Sequence, residues 1–93
     1  MSTVYFATLA RDQEVIERYL YDSAKVIETF TATGLTNGLT AAVVEVTGRD
    51  EADALYLAQY QADRLASGLY PVTPPVQTLE EVAAALLRWT ATD

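Results

Sequence analysis

The side chains that could do chemistry in this chain are carboxylates and phenols. Its 93 residues include 13 aspartates and glutamates and six tyrosines, but no histidine, no cysteine and one lysine. Without histidine, the serines at positions 2, 23 and 67 lack the usual base, and none lies in a G-x-S-x-G turn. Paired carboxylates do acid–base chemistry only where a cleft raises one of their pKa values. The sequence therefore predicts a protein that is not an enzyme and that holds no cofactor or metal.

The charge balance restricts the partners that the chain can have. Its formal net charge is −7, and the six basic residues are scattered along the sequence. Contacts to phosphates need clustered lysine and arginine, so we expect no direct binding to nucleic acid or to an anionic membrane. A protein with a basic surface is the partner that this charge favours.

The location is predicted from segments that the sequence lacks. No apolar run approaches the roughly 20 residues that cross a bilayer, and no basic stretch followed by an apolar run stands at the N-terminus. The absence of cysteine fits a reducing compartment. We therefore expect a cytoplasmic protein.

The sharpest binding signal lies on the second long helix that the sequence predicts. Tyr56, Tyr60 and Arg64 follow one another at four-residue spacing and share one face of that helix. The opposite face is expected to enter the core and carries Leu55, Ala58, Ala62, Leu65 and Leu69. A helix with two apolar faces either lies between two layers or offers one face to a partner. Tyrosine and arginine are enriched in protein interfaces, which favours the second interpretation, while packing under the last helix is the alternative.

Carboxylates gather before this helix and in its first turns, at Glu45, Asp50, Glu51 and Asp53. One hypothesis is that they meet a basic groove and stand where the phosphates of a nucleic acid would otherwise sit. The alternative is that they cap the helix and solvate its first turn. The spacing of a calcium loop is absent.

The elements that must position these residues form one domain over 1–93. Strands are predicted at Thr3–Leu9 and Leu39–Thr47, and helices from Asp50 to Ser67 and after the Thr78/Glu81 capping box. Gly68 is expected to close the first of these helices. Residues 70–77 hold all three prolines and predict an extended segment with a short edge strand at 70–73.

Residues 12–32 allow two interpretations. Apolar residues recur with helical period after Asp12, which predicts a helix over 12–32 with Gly34 at its C-cap. The alternative makes Lys25–Thr33 a strand that forms a hairpin with 40–47 through Asn37-Gly38.

The predicted fold is α/β, with a two- to three-stranded sheet and three helices in the order β-α-β-α-(β)-α. An Arg-Asp pair begins both strand-to-helix connections, and a repeated βα unit of this kind would pair its strands in parallel. The alternative is an α+β fold, β-α-β-β-α-α, with a hairpin at 25–47.

These observations predict a small acidic protein-binding module. The expected site comprises Glu45, Asp50, Glu51, Asp53, Tyr56, Tyr60 and Arg64. In size and charge, though in no motif, the chain is similar to the acidic inhibitors of phages and mobile elements, including anti-CRISPR proteins. That likeness implies an inhibitor of a basic, nucleic-acid-handling complex that acts by charge mimicry. A self-associating accessory domain, a homodimer through the tyrosine face, is the alternative, and a carboxylate- or metal-dependent enzyme is the least favoured.

Overall fold

The computed structural model describes residues 1–21, 23–31 and 39–91. In these ranges the chain forms three strands and three helices around one sheet. The elements are β1 (Ser2–Ala10), α1 (Gln13–Arg18), β2 (Ala24–Thr31), β3 (Thr40–Gly48), α2 (Glu51–Ser67) and α3 (Leu79–Ala91). The small α/β fold with three helices is as expected, and its order is that of the alternative interpretation, β-α-β-β-α-α.

The sheet has the strand order β1-β3-β2 and is antiparallel throughout. The expectation that β1 and the strand at 39–47, here β3, pair in parallel was therefore wrong. The additional strand β2 lies between them in the chain, and β3 runs antiparallel to both. Phe6 pairs with Val44 and Val44 pairs with Val26, so these three residues form one row across the centre of the sheet. The predicted Asn37-Gly38 turn and the Gly34 cap lie outside the described residues.

The predicted helix over 12–32 is replaced by the short α1 and by β2. Asp12 caps α1, since its Oδ1 accepts the Val15 N–H at 2.9 Å. α1 ends at Arg18, and the chain enters β2 at Ala24. The β-branched residues that follow suit a pleated strand, and a bulge between Val26 and Glu28 breaks their alternation. Because of this bulge, the apolar residues of β2 are spaced in the sequence like those of an amphipathic helix.

The helices lie on opposite faces of the sheet. On one face, α2 and α1 cover a core that includes Val4, Phe6, Val44 and Val46. On the other face, α3 sets Val82 against Ala7 and Val43. The sheet is therefore the middle layer of a three-layer fold.

The buried face of α2 differs from the expected one at two leucines. Leu55 is exposed over about a third of its surface and Leu69 over nine-tenths, whereas Ala54 is fully buried. The other buried residues of α2 are Ala58, Gln61, Ala62 and Leu65. The three alanines of this row, at 54, 58 and 62, let the helix axis approach the sheet closely, and a leucine at position 54 would hold it away.

α2 ends in a Schellman motif. Leu69 N–H donates to Ala66 O at 2.9 Å and Tyr70 N–H donates to Leu65 O at 3.0 Å. The left-handed position is taken by Leu69, with φ +69°, and not by Gly68. Gly68 is needed for a different reason, because a Cβ there would lie 2.8 Å from the Tyr19 hydroxyl.

Residues 71–76 lie along the outer edge of β1, where a short edge strand was expected at 70–73. Single bridges join Thr8 to Val72 and Tyr5 to Val76. Thr73, which is buried, accepts the Ala7 N–H on its Oγ1 at 2.8 Å and returns its own N–H to Ala7 O at 2.9 Å. This segment satisfies backbone groups of β1 that the sheet leaves open. Among the described residues, none of the helices combines the length and the apolar character needed to cross a membrane.

Candidate protein-binding surface

The outer face of α2 carries tyrosines that reach solvent. Tyr56 is 70% exposed and Tyr60 is 44% exposed, one helical turn further along. Neither ring is covered by α3, which packs on the other face of the sheet. The sequence interpretation that placed these phenols under the last helix is therefore wrong, and the outward placement is correct.

Tyr21, from the connection after α1, completes this surface. Its ring stacks on Tyr60 with centroids 5.5 Å apart and planes 28° apart. The guanidinium carbon of Arg64 lies 4.7 Å from the centre of the Tyr21 ring. We call Tyr21, Tyr56, Tyr60 and Arg64 the tyrosine strip. It offers contact area, hydroxyls and a cation in side chains that already hold one another in place.

The two stacked phenols have opposite pKa displacements. Their hydroxyls lie 3.4 Å apart. This hydrogen bond raises the pKa of Tyr21, and the same bond, with Arg64 beside it, lowers the pKa of Tyr60.

A buried glutamine fixes the strip from behind. Gln61 is fully buried on α2; its Oε1 accepts the Tyr21 N–H at 2.9 Å, and its Nε2 donates to Ser23 Oγ at 3.2 Å. Arg64 adds a second tie, with Nε donating to Tyr19 O at 3.3 Å. Gln61 and Tyr21 were absent from the predicted site. Only the amphipathic position of Gln61, on the inner side of the helix, could have drawn attention to it.

The carboxylates at the start of α2 are largely engaged in capping. Asp50 Oδ1 accepts the Asp53 N–H at 2.8 Å, and Asp53 Oδ2 accepts the Arg49 N–H at 2.8 Å. Glu51 accepts a hydrogen bond from the Gln77 side chain, which joins the start of α2 to the residues before α3. The alternative interpretation of this cluster, a helix cap, therefore describes Asp50 and Asp53.

Glu45 is not brought together with the other predicted site residues. Its neighbours Val44 and Val46 face α2, so Glu45 points to the opposite side of the sheet. There it forms an ion pair with Lys25 across the β2–β3 pairing, with Nζ and Oε1 3.5 Å apart. The alternation Val44-Glu45-Val46 in the sequence carried this information.

Most of the basic side chains are neutralised within the protein. Arg11, Arg18, Lys25 and Arg49 each lie within 4 Å of a carboxylate of the same chain. Exposed pairs of this kind contribute little to stability. These pairs leave the net charge of −7 unchanged, and that excess of carboxylates is available to a cation outside the protein.

The described residues show no arrangement suited to metal binding. No group of three or more acidic side chains converges there as a metal site. In comparisons with known proteins, no family model, no curated protein and no solved structure matches the chain. The site must be judged on its own geometry.

Proposed function

We propose that this protein binds another protein through the tyrosine strip and that the bound surface is basic. The observation that carries the proposal is the ordered cluster of Tyr21, Tyr60 and Arg64, with Tyr56 exposed beside it. Exposed aromatic rings usually lose rotamer freedom when they bind. Here the stacking contact has already restricted two of them, which lowers the entropic penalty of docking.

Charge supports the choice of a basic partner. The net charge is −7, and in the part of the chain that the structure describes, four of the six basic side chains pair with carboxylates. The field outside the protein is therefore negative and would accelerate encounter with a positively charged surface. Basic protein surfaces of this kind commonly bind nucleic acid. We therefore propose inhibition by competition, with Glu51 and neighbouring carboxylates placed where phosphates would bind.

The test compares the wild-type protein with a Tyr56→Ala/Tyr60→Ala variant as bait in a lysate of the native host. Leu79→Ala, which also removes an exposed apolar side chain, is the matched control. We expect wild type and control to capture the same basic protein and the double variant to lose it. The association rate of that protein, measured by surface plasmon resonance, should fall steeply as salt rises. Equal capture by the double variant, or a rate indifferent to salt, would refute the proposal.

Self-association is the second candidate, favoured by Leu55, which lies exposed beside Tyr56 on α2. A symmetric pair of α2 helices would bury both strips at once. Light scattering at high micromolar concentration should then give the mass of a dimer, and Tyr60→Asp should reduce it to that of a monomer. A monomeric wild-type protein excludes this candidate.

A further inference from the structure

A hollow of about 420 Å³ opens beside the tyrosine strip, between the end of α1 and the start of β2. Tyr21 belongs to both features. The hollow is lined by Glu17, Leu20, Tyr21, Ala24, Lys25 and Val26. Its volume falls within the range of sites that hold small groups in proteins.

The apolar part of the hollow is held in place by the core and the backbone. Leu20, Ala24 and Val26 are half-buried and pack against the core under α2. Two hydrogen bonds hold Tyr21 and Ala24 in place: Ala24 N–H donates to Tyr21 O at 2.9 Å, and Tyr21 N–H donates to Gln61 Oε1 at 2.9 Å. The hollow is therefore formed before any ligand arrives.

The two charged residues of the hollow are in different situations. Lys25 is paired with Glu45 on the far side of the sheet. Glu17 accepts a hydrogen bond only from the neutral Gln13 amide, at 2.8 Å, and none of the basic side chains in the described residues forms an ion pair with it. The charge that remains for a ligand is the carboxylate of Glu17.

We propose that this hollow binds one lysine or arginine side chain of the protein partner, an inference that rests on the proposed function. The aliphatic stem lies along Leu20, Ala24 and Val26, and the charged head meets the Glu17 carboxylate. Long basic side chains favour such a site because their stems are apolar and their heads require an anion. Docking on the tyrosine strip brings the partner's chain next to this hollow through Tyr21.

The test uses small probes and therefore does not need the partner. N-acetyl-arginine methylamide is titrated into ¹⁵N-labelled protein, with the corresponding citrulline compound as an uncharged control of the same shape. We expect saturable shifts of the Leu20, Ala24 and Val26 amides with arginine and none with citrulline. Glu17→Gln should weaken arginine binding by roughly threefold or more, as the loss of one exposed ion pair does. Glu80→Gln, an exposed carboxylate outside the hollow, should leave it unchanged.

The inference is overturned if the citrulline compound binds as well as the arginine compound, or if Glu17→Gln binds arginine as tightly as wild type. It is also overturned if arginine shifts the amides near carboxylates elsewhere in the protein instead of those of the hollow. Failure here is distinguishable from failure of the proposed function. The Tyr56→Ala/Tyr60→Ala variant keeps every residue of the hollow and should still bind arginine. If capture of a basic partner requires Tyr56 and Tyr60 but the hollow does not bind arginine, the proposed function stands and only the proposed arginine site is wrong.

Discussion

Gln61 and Tyr21 are 40 positions apart in the chain, and the side-chain oxygen of the first accepts the backbone N–H of the second at 2.9 Å. This bond joins α2 to the connection between α1 and β2. It sets both the position of the Tyr21 ring against Tyr60 and the wall of the neighbouring hollow. One buried amide therefore supports both Tyr21 in the tyrosine strip and the wall of the hollow.

Gln61→Ala should lower the free energy of unfolding by about 1–3 kcal/mol, because it leaves the Tyr21 N–H without its acceptor. Gln59→Ala is the matched control, since Gln59 is exposed and bonds only to Asp63 on its own helix. Urea denaturation monitored by circular dichroism measures both. Equal stability of the two variants would show that the Gln61 bond contributes nothing.

Gly48→Ala should be strongly destabilising. A Cβ at Gly48 would lie 2.7 Å from the Ala54 Cα and closer still to its nitrogen, where β3 meets the start of α2. Backbone atoms cannot move aside as a side chain can, so we expect a loss of about 2 kcal/mol or more. Gly68→Ala should be milder, because the atoms it would meet belong to the Tyr19 and Tyr70 side chains. Thermal unfolding compares the two, and a larger loss in Gly68→Ala would contradict this account.

Leu69→Gly should stabilise the protein. Leu69 has φ +69° and a side chain that is 90% exposed, so glycine removes strain and sacrifices almost no packing. The left-handed conformation of a residue with a Cβ is unfavourable by roughly 1–2 kcal/mol, and the greater freedom of glycine in the unfolded chain offsets part of the gain. Leu69→Ala keeps the Cβ and serves as the control. A melting temperature that rises only in Leu69→Gly is the expected result, and an equal rise in both would point to removal of the exposed leucine instead.

Tyr21→Phe should raise the pKa of Tyr60 toward the ordinary tyrosine value, because the ring stays while the donated hydrogen bond is lost. Because folding lowers the pKa of Tyr60, its ionisation adds to the free energy of unfolding at pH above the ordinary tyrosine pKa. This contribution is lost as the pH falls through the pKa of Tyr60 in the folded protein. Tyr21 has a raised pKa, and its contribution is lost as pH rises through that value. Phenolate titration of Tyr60 by NMR measures the change, with Tyr56→Phe as control. An unshifted Tyr60 in Tyr21→Phe would contradict the hydrogen bond.

The sequence predicts three of the elements better than it predicts β2. β1, β3 and α2 follow from short β-rich runs and from capping residues, which act locally. β2 does not follow, because Val26, Ile27 and Phe30 fit a helical stripe as well as a bulged strand, and only pairing with β3 decides between them. Tertiary contact overrides local preference there.

The candidate site was predicted in part for similar reasons. The four-residue spacing of Tyr56, Tyr60 and Arg64 reveals a shared helix face without any knowledge of the fold. Tyr21 lies in another segment, and no local pattern indicates that it reaches Tyr60. Leu55 was expected in the core because it fits the three- to four-residue spacing of the apolar face, whereas close packing on the sheet selects the smaller Ala54.

The pairing of residues 71–76 with β1 also has a kinetic consequence. The hydrogen bonds from Ala7 to Thr73 and from Thr8 to Pro71 span 66 and 63 positions of the chain. Such distant partners must meet by diffusion, against the entropy of closing a long loop. We expect the outer margin of β1 to acquire its protection against hydrogen exchange late in refolding, after the β2–β3 hairpin has formed.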